Sequence, residues 1–179
     1  MGKVDISIEP KKVYQIITPV SFLILSAVVI IYYFLIGRKD FSYIYINPLV
    51  FAILIIGAAL LHEVIHALTF IAVGKVPRNK IKFGIILKYL TPYAYCSQVI
   101  SISTYRIALL LPTIILGVIP IISGFLFKNF LSLLIGDFMF IGGFGDLLII
   151  WNTRKLKKGT RVLDHDKKVG CYIIKKQSQ

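Results

Sequence analysis

The chain has 179 residues, 57% of them hydrophobic, with 21 Lys and Arg against 8 Asp and Glu. The apolar residues fall in long blocks, which excludes an ordinary soluble domain and points to a polytopic membrane protein with one domain. A net charge of +13 in a soluble chain would suggest nucleic acid, but these cations flank the apolar blocks, which assigns them to topology and anionic headgroups and predicts a lipid bilayer, not nucleic acid, as partner.

Residues 1–12 are polar and basic, with Lys3, Lys11 and Lys12, and are expected as an exposed arm. Residues 16–36 form the first spanning candidate; at ~1.5 Å rise per residue they cover roughly the ~30 Å hydrocarbon core. This block is too long for a signal-peptide core and lacks a small-residue cleavage pattern, so a retained helix is expected. Gly37-Arg38-Lys39-Asp40 ends it, and the aromatic-rich residues 41–46 are placed at the interface. Pro48, suited to a first helical turn, opens a second span that runs to Val73 and stops at Gly74-Lys75-Val76-Pro77. A third span is predicted over 107–122, kinked at Pro112, and a fourth over 130–151. Arg154, Lys155, Lys157, Lys158 and Arg161 then open a basic tail, 152–179, so the membrane-embedded domain is residues 13–151.

Between the second and third spans, residues 81–88 and 97–103 partly alternate around the turn-prone Tyr89-Leu90-Thr91-Pro92-Tyr93. That pattern predicts a small β-hairpin at the cytoplasmic membrane surface, with an irregular amphipathic loop as the alternative. The expected fold class is therefore an all-α polytopic membrane protein with about four transmembrane helices and one small hairpin. Cations concentrate in the arm, the second loop and the tail, which predicts a multi-pass protein of the cell membrane with both termini cytoplasmic.

The chemistry is concentrated in the second span, at His62-Glu63-Val64-Ile65-His66. Histidines four apart lie one turn above each other on one helix face, where two neutral imidazoles can grip a zinc ion and the glutamate stands beside the open position. Ionisable groups in hydrocarbon are costly unless they serve a site; the bland alternative is a polar contact between helices. Zinc needs a third protein ligand, and between Phe41 and Leu163 the acids are Glu63, Asp137 and Asp146. Counted from the cytoplasmic ends of their spans, His66 lies ~10 Å deep, Asp146 ~7 Å and Asp137 ~21 Å. Asp146 therefore matches the histidines in depth, and Gly142, Gly143 and Gly145 beside it favour close helix approach. His165 in the tail is the other possible ligand, if the tail folds back beneath the bundle. The two cysteines, Cys96 and Cys171, are far apart and give neither a disulfide framework nor a thiolate site. The implied reaction is peptide hydrolysis, with zinc lowering the pKa of a water from 15.7 to about 7 and Glu63 passing the proton to the leaving amine.

This pattern resembles the site-2 protease type of intramembrane metalloprotease: His62-Glu63-x-x-His66 within a span, a membrane-surface β element, then an Asp on a later span. More closely it is similar to a bacterial and archaeal family of small membrane zincin peptidases, through Lys82-Phe83-Gly84, Pro92, Arg106, Pro112, Gly145-Asp146-Leu147 and Val162-x-Asp164-His165. The similarity covers most of the chain after Pro48 and implies zinc, peptide hydrolysis and a protein or peptide substrate. Two alternatives use the same residues. One is a membrane protein with an immunity or regulatory role that binds metal and cleaves nothing. The other is a small ion transporter, for which internal symmetry is expected and none is seen.

Overall fold

A computed structural model describes residues 2–37, 47–87, 91–166 and 168–175. The fold is mostly helical with two small antiparallel sheets, and three of its helices are long and apolar enough to cross a bilayer. The predicted interfacial stretch 41–46 lies outside the described residues, as do positions 88–90 of the predicted hairpin.

Helix α1 (Pro10–Ile36) starts with Pro at its first turn and stops at Gly37, whose φ of 92° takes the chain out of helix. Helix α2 (Pro48–Ala72) carries the histidines. Its start is fixed by Asn47, whose side-chain oxygen accepts from the amides of Leu49 and Val50. Large residues such as Phe22, Leu23, Leu49 and Ile53 stand exposed along both helices, the surface expected against lipid. The third long helix is a composite of α3 (Ile102–Pro112), a π-helical stretch at Thr113–Val118, and α4 (Ile119–Leu126). It begins five residues before the predicted span, capped by Ser101, whose hydroxyl accepts from the Thr104 amide. The backbone stays helical through Pro112 and widens into the π turn just after it.

The predicted fourth span is two helices, α5 (Phe130–Gly142) and α6 (Phe144–Thr153), bent by 43°. Gly143 sits at the bend against Thr113 of the π stretch, where a Cβ would run into the threonine hydroxyl. The guanidinium of Arg106 closes the C-terminal end of α6 by donating to the carbonyls of Thr153 and Leu156.

The hairpin forms, but in a different register from the one expected. Its strands are β2 (Ile81–Ile86) and β3 (Thr91–Cys96), paired Ile81 to Cys96 through Ile86 to Thr91. Thr91-Pro92-Tyr93 is thus strand, not turn. Proline is tolerated because the ladder does not use its nitrogen. Ser97 donates to Lys80, and Cys96 donates away from β2 to Asp164, so alternate residues 92, 94 and 96 direct their nitrogens to the free edge.

The N-terminal arm and the basic tail, expected as separate exposed segments, are strands of one sheet. β1 (Gly2–Asp5), β4 (Ile100–Ser101), β5 (Arg161–Asp164) and β6 (Cys171–Lys175) are ordered β1-β6-β5-β4. This sheet gathers the starts of α1 and α3 and the exit of α6 at one end of the bundle. The tightest core lies at that junction, where Phe70, Ile102, Tyr105 and Leu109 pack with Val162 and Cys171. A cytoplasmic tail that is only a solvated charge run would expose Val162 and Cys171; here both have no exposed surface.

Candidate metal centre

His62 and His66 stand one turn apart on α2, both buried, with ring centroids 4.8 Å apart. Asp146, in the first turn of α6, reaches across so that one carboxylate oxygen is 3.1 Å from His62 Nε2 and 3.3 Å from His66 Nε2. A tetrahedral ion with bonds of ~2.0–2.1 Å separates its ligands by roughly 3.3 Å. His62, Glu63 and His66 also offer ligand atoms within 4.8 Å of one another.

The protonation pattern adds a second indication. His66 Nδ1 lies 2.8 Å from the carbonyl of Ala108 on α3. A carbonyl only accepts, so Nδ1 carries the proton and donates. In the neutral ring, Nε2 is then a lone pair facing a carboxylate oxygen at 3.3 Å. Two acceptors in that position repel unless a proton or a metal ion lies between them. Donor set, spacing and tautomer therefore fit a zinc ion.

Glu63 is half-buried, and β3 packs on α2 beside it. The Ala94 amide, directed to the free edge of β3, lies near the Glu63 carboxyl. A cleft of about 430 Å³ opens over this cluster. Ala59, Gly142 and Gly145 line it near the histidines, and Asp166 and Lys168 line its far end.

The remaining predicted candidates are not among the grouped ligand atoms, although His165 lines the same cleft. His165 is held in the sheet region: its Nδ1 accepts from the Lys168 amide at 3.0 Å and its Nε2 meets the Tyr172 hydroxyl at 2.8 Å. Both ring nitrogens are committed there, which leaves none for a metal beside His62. Asp137 is fully buried in α5 and makes no hydrogen bond among the described residues. Beside His165, Asp164 accepts from the Cys96 amide, the Tyr105 hydroxyl and the His165 amide. Burial outweighs these bonds and pushes its carboxyl up to about 6. Burial likewise raises the thiols of Cys96 and Cys171, to about 11 and about 12, consistent with structural, unreactive cysteines.

Two contributors were invisible to the residue-type search. Ala108 acts through its backbone carbonyl, and Ala94 through its amide, so neither side chain flags them. The signal for Ala94 was the strand alternation, read six residues too late.

A His-Glu-x-x-His pair on one helix, with an acid from a second helix closing on it, defines a zincin-type centre. Residues 55–161 match the family described as "Putative zincin peptidase", and the chain belongs to that family. No curated protein and no solved structure matches the chain.

Proposed function

We propose that the protein is a membrane-embedded zinc endopeptidase of the site-2 protease type, cleaving a membrane-associated protein or peptide. His62, His66 and Asp146 hold the ion and Glu63 is the general base. The observation that carries this reading is the convergence of two Nε2 atoms and one carboxylate oxygen at tetrahedral-edge spacing.

When bound, zinc supplies an activated water and polarises the scissile carbonyl. The Glu63 carboxylate takes a proton from the attacking water as its oxygen bonds to the carbonyl carbon. It returns that proton to the nitrogen as the C–N bond breaks. The outward edge of β3 holds the substrate extended, since a helical transmembrane segment buries its peptide bonds. Gly142 and Gly145 support this reading because a Cβ on either would meet nothing within 4 Å, so they keep the cleft open beside Asp146.

The orientation follows from charge. Lys11, Lys12, Lys75, Arg78, Lys80, Arg154, Lys155 and Arg161 flank the helix ends at the sheet, which supports a cytoplasmic location for that end and for both termini. The bent pair α5–α6 then counts as a fourth span, and the hairpin lies at the cytoplasmic surface.

Metal analysis of the purified protein tests the centre: one zinc per chain is expected, lost in His62→Ala, and a zinc-free wild type overturns it. Glu63→Gln is expected to keep the zinc and lose about 10²–10⁴-fold in cleavage rate. Equal rates in the two proteins would leave a metal-binding protein without catalysis.

A further inference from the structure

Only one of the two histidines has its second ring nitrogen fixed by protein. His66 Nδ1 donates to the Ala108 carbonyl, whereas His62 Nδ1 has no partner among the described residues. A carbonyl inside an α-helix is normally occupied by the amide four residues on. Four residues after Ala108 stands Pro112, which has no amide hydrogen. The next amide, that of Thr113, donates to Leu110 instead. The helix therefore leaves the Ala108 carbonyl without its usual amide donor, and His66 takes it. Pro112 itself is fully buried, so solvent does not compete for the carbonyl.

We propose that Pro112 is a positioning residue for the metal centre: lacking an N–H, it frees the Ala108 carbonyl to fix the tautomer and orientation of His66. This rests on the zinc reading for its consequence, but not for its geometry. A proline inside a helix is destabilising relative to alanine because it removes an intrahelical hydrogen bond. Here the lost intrahelical bond is replaced by one from the imidazole. The proline also sets the start of the π stretch, and the same widened turn carries Thr113 against Gly143 at the α5–α6 bend. One residue thus acts on both helices that deliver ligands, on α2 through the carbonyl and on α6 through the turn that follows.

The test separates the missing hydrogen from the ring. Pro112→Leu restores an amide that competes for the Ala108 carbonyl. Leucic acid at the same position, introduced as the α-hydroxy acid, has the same side chain but an ester oxygen in place of the N–H. Two readouts are taken: zinc affinity by chelator competition, and the ¹⁵N shifts of His66 in metal-free protein. Pro112→Leu is expected to weaken zinc binding about 10-fold or more, within the range for groups that orient metal ligands. Its His66 is expected to lose the hydrogen-bonded Nδ1–H signal that the wild type shows. The ester is expected to restore both to wild-type values, and Pro19→Ala, which removes a helical proline from α1, is expected to change neither.

Equal losses in the Leu and ester proteins, or no loss in either, overturn the proposal. If Pro112→Leu does not fold, the ester protein decides alone, since loss of the Nδ1–H form there is sufficient to reject it. A wild type that binds no zinc removes the peptidase reading, while the ¹⁵N shifts still report on Pro112.

Discussion

Asp137 on α5 and Asp146 on α6 sit on the two sides of one 43° bend, and both are withdrawn from solvent. Asp146 faces two imidazoles and keeps 17% of its side chain exposed, toward the cleft. Asp137 has no exposed surface and neither carboxylate oxygen has a hydrogen-bond partner among the described residues. Burial alone therefore does not mark a functional acid in a membrane helix. What distinguishes the two is the chemistry opposite each: converging nitrogens for one, no hydrogen-bond partner among the described residues for the other. The bend at Gly143 turns the α6 acid toward α2, away from the line that α5 would have continued.

The sharpest way to break this contrast is to remove each acid in turn. Asp146→Ala is expected to lower zinc affinity by more than about 100-fold, beyond the 10–100-fold range for groups that only orient ligands. Asp137→Ala is expected to leave affinity unchanged in the same chelator competition. Matching losses from both would show that Asp137 reaches the centre after all.

A smaller effect concerns stability. An unpartnered buried polar group costs about 1–3 kcal/mol, so Asp137→Leu is expected to raise the Tm of the detergent-solubilised protein. A lowered Tm would mean that Asp137 has a partner, such as a bound water or cation.

The smallest effect belongs to the sheet, where Asp164 offers a third buried acid for comparison, held by three donors. Its folded-state value, about 6, lies above the ordinary 3.8, so the folded protein holds this proton more tightly than the unfolded chain. The stability it contributes is present below about pH 4 and lost as pH rises through about 6. Chemical unfolding in the presence of chelator is expected to show that slope in wild type and not in Asp164→Asn. Parallel curves for the two proteins would contradict the assignment.

The long apolar blocks made the helices legible, because a bilayer sets a length that composition can match. His62, Glu63 and His66 were legible because helix periodicity fixes one face. The nearness of Asp146 followed from counting residues to the ends of two spans, a measure that survived the bend because Asp146 lies only three residues beyond it. Other features depended on contacts distant in sequence. Gly2 pairs with Lys175, and no local pattern in either short strand announces the other. The hairpin was displaced because Pro92 reads as a turn residue, whereas its place on the free edge lets it sit within a strand. Ala108 could not be found from residue type, since its contribution is a backbone oxygen.

The pairing of β1 with β6 has a consequence for biogenesis. β1 precedes every described helix and, among the described strands, pairs with β6, so it stays unpaired while the residues between them are made. The segment between β5 and β6, which carries Lys168, also lines the cleft, so that part of the wall depends on β6 pairing with β1 and β5. A molecule made only as far as α6 already holds both histidines and the acid, but not this part of the wall.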